Sequence, residues 1–177
     1  MAERLLRNQT FELSQNAYDW LGEGIYFWEA NPLRGLEFAV EVAKREPKKI
    51  KKPTVIGAVI DLGYCLDLTT SRGLRQTRAA YDELTLISDA AGLPLPINEF
   101  KNRKHNLDCA VINYVHRIQS KNNKEPFDSV KGIFIEDPVL YSGSAFYEKN
   151  HIQIAVRNHE CIKGVFRVPK SHLDPDV

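Results

Sequence analysis

Leu21-Gly22-Glu23-Gly24-Ile25-Tyr26-Phe27 is the stretch on which the reading of this chain turns. Two glycines two positions apart let the backbone turn tightly and pass close to a neighbour or a ligand, because neither carries a Cβ. Ile25, Tyr26 and Phe27 then favour an extended segment. On such a segment Tyr26 and Phe27 point to opposite faces, so one can line a pocket while the other packs in a core. Taken alone, the segment also reads as a glycine turn ahead of ordinary aromatic core.

Upstream, residues 3–8 read as the end of a short helix. Downstream, Asn31-Pro32 is a sound helix start, with Asn as cap and Pro in the first turn. Leu36, Ala39, Val40 and Ala43 follow at helical spacing, which predicts an amphipathic helix to about Arg45. Residues 54–60 form a continuous apolar run rich in β-branched residues and predict a central strand. Ala80, Leu84, Ile87 and Ala91 predict a helix that stops at Gly92. Leu107, Val111, Tyr114, Val115 and Ile118 predict the clearest helix of the chain. Residues 132–136, 152–157 and 162–168 read as strands. The first two of these are separated by a loop of about fifteen residues, a length more often functional than idle. Helices mixed with strands, then mainly strands, fit an α+β fold better than an alternating one.

The chain has 177 residues, enough for one compact domain, and its 43% hydrophobic content can supply a core. A net charge of +1 favours no partner class, so nucleic acid would need a local basic patch. Cys65, Cys109 and Cys161 are too scattered for a disulfide framework or a CxxC metal pattern, which suits a reducing compartment. The first ten residues lack the apolar core of a signal peptide. No run approaches the ~18 apolar residues of a membrane span. The expectation is a cytoplasmic protein with no membrane partner and no metal.

Residues 22–27 resemble the Gly-x-Gly-Ile-Tyr-Phe signature of the poly(ADP-ribose) polymerase branch of the ADP-ribosyltransferases. The flanking residues, from Asp19-Trp20 to Glu29, are similar to uncharacterised bacterial proteins built on the same fold. The resemblance implies an ADP-ribosyltransferase-like fold of split β-sheets with flanking helices, spanning residues 1–177. It implies NAD as substrate, bound by Gly22, Gly24, Ile25, Tyr26, Phe27 and the region of Arg34. Tyr26 would stack on the nicotinamide ring.

The family completes its site with a His on an early strand, and no His precedes Tyr18 here. The strand carrying it is therefore expected upstream of Met1, so the domain reads as N-terminally incomplete. A natural short form without the clamp is the alternative. The family also places a Glu at the start of a late strand, where Gln153 stands in this chain. Gln keeps a hydrogen-bond acceptor and loses the charge, which disfavours polymerisation. Glu148, in the preceding loop, is a candidate replacement carboxylate; it also reads as a solvated loop residue. A family Ser that bonds the carboxamide falls near Arg34-Gly35, where there is no hydroxyl.

The expected function is mono-ADP-ribosylation of a protein or nucleic acid, as in toxins of bacterial conflict systems. The competing reading is a non-catalytic module that keeps the fold and binds a nucleotide or a protein. An unrelated α+β protein is the third. The basic run Lys44, Arg45, Lys48, Lys49, Lys51 and Lys52 could hold a phosphate or a nucleic-acid backbone, but reads first as a solvated connector. Asp67-Leu68-Thr69-Thr70 reads as a hydroxyl-capped turn. Asn106, Asn113 and Arg117, with His116 one turn beyond Asn113, form a polar stripe that could border a substrate pocket but more often is the solvent side of an amphipathic helix.

Overall fold

The computed structural model describes residues 2–6, 10–48, 50–99 and 103–174. Helix α1 covers Ala2–Leu5; residues 7 and 8 of the expected helix end, and Lys49 of the basic run, lie outside the described residues. Strand β1 is Ile25–Trp28, followed by α2, Pro32–Arg45. Strands β2, Ile56–Ile60, and β3, Cys65–Asp67, precede helix α3, Ser71–Ala91. Helix α4, Asn106–Lys121, leads into β4, Ser129–Phe134, β5, His151–Val156, and β6, Ile162–Arg167.

The described residues form an α+β structure with two sheets. One has the order β1-β5-β4-β3 and the other pairs β2 with β6. All pairings are antiparallel except β3 with β4. The larger sheet is covered on both faces. On one, Leu66, Val130 and Ala155 pack with Ala80 of α3 and Val111, Ile112, Tyr114 and Val115 of α4. On the other, Ile25, Ile154 and Val156 pack with Cys161, and with Ile60 and Ile162 of the smaller sheet. Tyr26 belongs to the first cluster and Phe27 to the second, as strand alternation requires.

The local signals act as their chemistry dictates. The Asn31 side chain accepts a hydrogen bond from the Arg34 amide at 3.0 Å, and Pro32 opens α2. Asp67 Oδ1 accepts from the Thr69 amide, and Thr70 Oγ1 accepts from the Gly73 amide, which caps α3. Gly92 ends α3 at a φ of 65°.

The structure corrects three expectations. The run at 54–60 is not a central strand. Only Ile56–Ile60 is extended, it pairs with β6 alone, and Val59 is exposed. A continuous apolar run signals burial on both faces, whereas here one face rests on the core and the other meets solvent. Helix α3 begins at Ser71 rather than near Ala80, because its first turns are largely polar and the hydrophobic period says nothing about them. Strand β4 begins at Ser129, whose hydroxyl donates to the Leu62 carbonyl at 2.7 Å. That polar partnership disguises a buried strand start. β3, three residues long, gives no sequence signal at all.

Candidate functional site

The Gly22–Phe27 segment is held from three sides. Gly22 has a φ of +75°, and a Cβ there would lie 2.6 Å from Asn113 Oδ1. Asn113 Oδ1 accepts from the Glu23 amide at 3.1 Å, and Arg157 donates to the Glu23 carbonyl at 3.1 Å. Asn113 is thus a clamp on the glycine turn rather than part of a solvent stripe; Asn106 likewise donates to the Ile97 carbonyl. Of the three, Arg117 is the exposed one. At Gly24 the close neighbour is strand β5: an added Cβ would sit 3.0 Å from the Ala155 Cβ.

The Tyr26 hydroxyl is engaged inside the protein. It donates to the Gly22 carbonyl at 2.7 Å and accepts from the Leu21 amide at 2.9 Å. Burial, with the Asp19 charge, pushes its ionisation well above the ordinary phenol range. The tyrosine therefore offers a ligand its ring and not its oxygen. Tyr26→Phe is expected to destabilise the protein by about 1–3 kcal/mol, because it strands the fully buried Leu21 amide. Urea unfolding of the two proteins checks this; equal midpoints would remove the role given to the hydroxyl.

Beyond the end of the helix-covered core, the same sheet face opens into a cavity of about 420 Å³. The register explains its walls. Tyr26 lies opposite Ala155, Trp28 opposite Gln153, and Gln153 opposite Gly132. The next same-face pair is His151 with Phe134. Ala155 is fully buried, while Gln153, His151, Trp28 and Phe134 border the cavity. Trp20 covers Gly132, where an added Cβ would meet its ring at 3.0 Å. Trp20 and Phe134 meet edge to face at 4.8 Å; Phe134 and His151 stack at 5.2 Å. Trp28 lies 5.2 Å from Phe38. The walls are flat aromatic surfaces, the shape that accepts a planar ring.

The charged side of the cavity is Arg34. Its side chain is only 5% exposed and pairs with Glu136 at 2.9 Å, with Glu37 and Glu41 at 3.7 and 3.6 Å. Arg103 bridges Glu136 and Glu41, and Lys149 also binds Glu41. Burial raises the Glu41 pKa, but the hydrogen bonds from Lys149 and Arg103 and the Arg34 charge outweigh it, and the net shift is downward. Among the described residues, Arg34 Nε and Nη1 and Trp28 Nε1 are buried donors without a hydrogen-bond partner, although Nη1 keeps the longer ion pairs with Glu37 and Glu41.

Gln153 sits against His151, with its Nε2 2.8 Å from His151 Nε2. His151 Nδ1 lies 2.7 Å from the Lys149 carbonyl and must donate to it. Burial lowers the His151 pKa, so the ring is neutral at pH 7 and its Nε2 accepts from the Gln153 amide. The Gln153 carbonyl oxygen is left without an intramolecular partner among the described residues.

Of the residues singled out in the sequence, Gly24, Ile25, Tyr26, Phe27, Arg34 and Gln153 border this one cavity. Gly22 shapes the turn behind it. Glu148 does not border it: the residue is exposed, and its amide donates to the Pro138 carbonyl. Trp20, Trp28, Phe134, Glu136 and His151 were not foreseen. His151 was within reach, since it shares the Gln153 face by period-two alternation. The others depend on contacts across the fold. No family model, curated protein or solved structure matches the chain. Among the described residues no helix is long and apolar enough to cross a membrane.

Proposed function

We propose that the cavity binds the nicotinamide end of NAD and that the chain is a mono-ADP-ribosyltransferase of ADP-ribosyltransferase-like fold. The observation that carries this reading is the shared sheet face on which Tyr26, Trp28 and Gln153 line one aromatic cavity. The residues present suit such a ligand. Aromatic walls take the planar ring, and the Gln153 carbonyl, without a partner among the described residues, suits a ribose hydroxyl. A cavity of this size takes the nicotinamide riboside half and leaves the rest of the dinucleotide outside. Nicotinamide departs as its glycosidic bond breaks, and an acceptor group of a protein or nucleic acid attacks the anomeric carbon. The working compartment is the cytoplasm.

The neutral Gln153 supports a slow transferase. Of the nearby carboxylates, Glu136 is held by Arg34 and Arg103, and Glu41 by Arg103 and Lys149. The positive charge that builds on the ribose then meets a carbonyl dipole instead of an anion, which costs orders of magnitude in rate. The same observation favours a second reading, a module that binds NAD without turning it over.

Calorimetric titration with NAD, run beside an assay of released nicotinamide, separates the two. The transferase reading expects saturable binding with slow release, and Gln153→Ala weakening binding about tenfold through the lost hydrogen bond. Binding without release selects the module. No saturable binding at millimolar NAD removes both.

A further inference from the structure

We propose that His151 is a positioning residue for Gln153: its Nε2 lone pair holds the Gln153 amide with the carbonyl turned to the cavity, and protonation of His151 turns that amide over. The inference rests on the reading of the cavity as an NAD site only for the identity of the ligand.

The geometry leaves one arrangement. His151 Nδ1, 2.7 Å from the Lys149 carbonyl, is a donor in either charge state. In the neutral ring Nε2 is then a bare acceptor, and the Gln153 group facing it at 2.8 Å is the amide nitrogen. In the protonated ring Nε2 becomes a donor, and the stable partner is the Gln153 oxygen. Rotation of the amide by half a turn makes that exchange. The cavity then presents an NH₂ donor where it had an acceptor.

The surroundings of His151 oppose protonation but keep it within reach. Burial disfavours the charged ring, as does the Arg34 guanidinium from α2. The Lys149 carbonyl and the Glu136 carboxylate, from the β4–β5 connection, favour it. Strands β4 and β1 contribute the uncharged rings of Phe134 at 5.2 Å and Trp28 at 6.3 Å. The Lys149 ammonium is turned to Glu41 at 3.0 Å. The ring therefore stays neutral at pH 7 and charges only on acidification below the ordinary histidine range.

Two measurements on the whole chain test this. In protein labelled with ¹⁵N-histidine, long-range ¹H–¹⁵N spectra at pH 7.5 should find His151 Nδ1 protonated and Nε2 bare. A protonated Nε2 at that pH overturns the proposal. NAD affinity of the parent protein should fall on acidification from pH 7.5 over the range in which the same spectra show His151 taking up its proton, by up to about tenfold, the worth of one misplaced hydrogen bond. In His151→Phe, which keeps an aromatic ring in the stack, the affinity should be lower at pH 7.5 and flat across the range. An equal pH profile in parent and variant overturns the proposal. If no form binds NAD while Nε2 is bare, the NAD reading falls and the positioning role stands.

Discussion

Arg34→Met is expected to lower the stability of the fold by about 3 kcal/mol, since truncating one partner of a buried ion pair leaves an uncompensated charge behind. Arg34 is 5% exposed and its closest partner, Glu136, is 12% exposed. Met fills the space of the guanidinium stem but brings no charge. Glu136 retains Arg103 at 2.8 Å, though that arginine is 40% exposed and water competes for it. Adding Glu136→Gln should recover most of the loss, because the second change removes the charge that the first one stranded. Urea unfolding of the single and double variants forms a cycle that isolates the pair. A single variant within 0.5 kcal/mol of the parent (roughly the error of such additivity) would show that the pair contributes nothing.

The second large effect is an acid destabilisation centred on His116. This residue of α4 is 7% exposed and lies edge-on to Phe127, 6.0 Å away. Neither ring nitrogen has a hydrogen-bond partner among the described residues. Burial, with the nearby Arg157 charge, lowers its pKa to about 3. The fold therefore holds the neutral ring, while the unfolded chain takes up a proton below about pH 6.5. The stabilisation is complete above pH 6.5 and drains away as pH falls towards 3, amounting to roughly 4–5 kcal/mol over the whole span. By pH 5 about 2 kcal/mol should be gone. His151 adds to the loss in the same direction. The carboxylates with lowered pKa values, Glu41 and Asp128, add theirs only below about pH 4.5. His116→Leu should equal or exceed the parent in stability at pH 7, since it removes two unsatisfied polar atoms. It should also flatten the slope between pH 6.5 and 5. Parallel slopes in the two proteins would assign the acid sensitivity elsewhere.

Each of these residues was only partly legible beforehand. Arg34 stands out in the sequence only through the register of the family's Ser, but Glu136 lies 102 residues away and no spacing announces the pair. His116 follows Asn113 on a helix whose period was plain, yet the period could not say that its ring lies in the core. Asn113 itself was read as solvated because a polar residue on an amphipathic helix usually is. Its actual partner, the Glu23 amide, comes from a turn 90 residues earlier.

By itself the sequence determined what local chemistry controls. The cap at Asn31 and Pro32 set the start of α2, the glycine at 92 ended α3, and the apolar period marked α4. The turn at Gly22 and the opposed faces of Tyr26 and Phe27 follow from φ freedom and strand alternation. Tertiary structure alone decided the cavity. The β1–β5–β4 register brings Trp28, Gln153 and Gly132 into line, and packing lays Trp20 over that gap and Arg34 against Glu136. Register and packing are sums over many distant contacts. No window of sequence contains them, so the segment at Gly22–Phe27 names one wall of the site and the fold supplies the others.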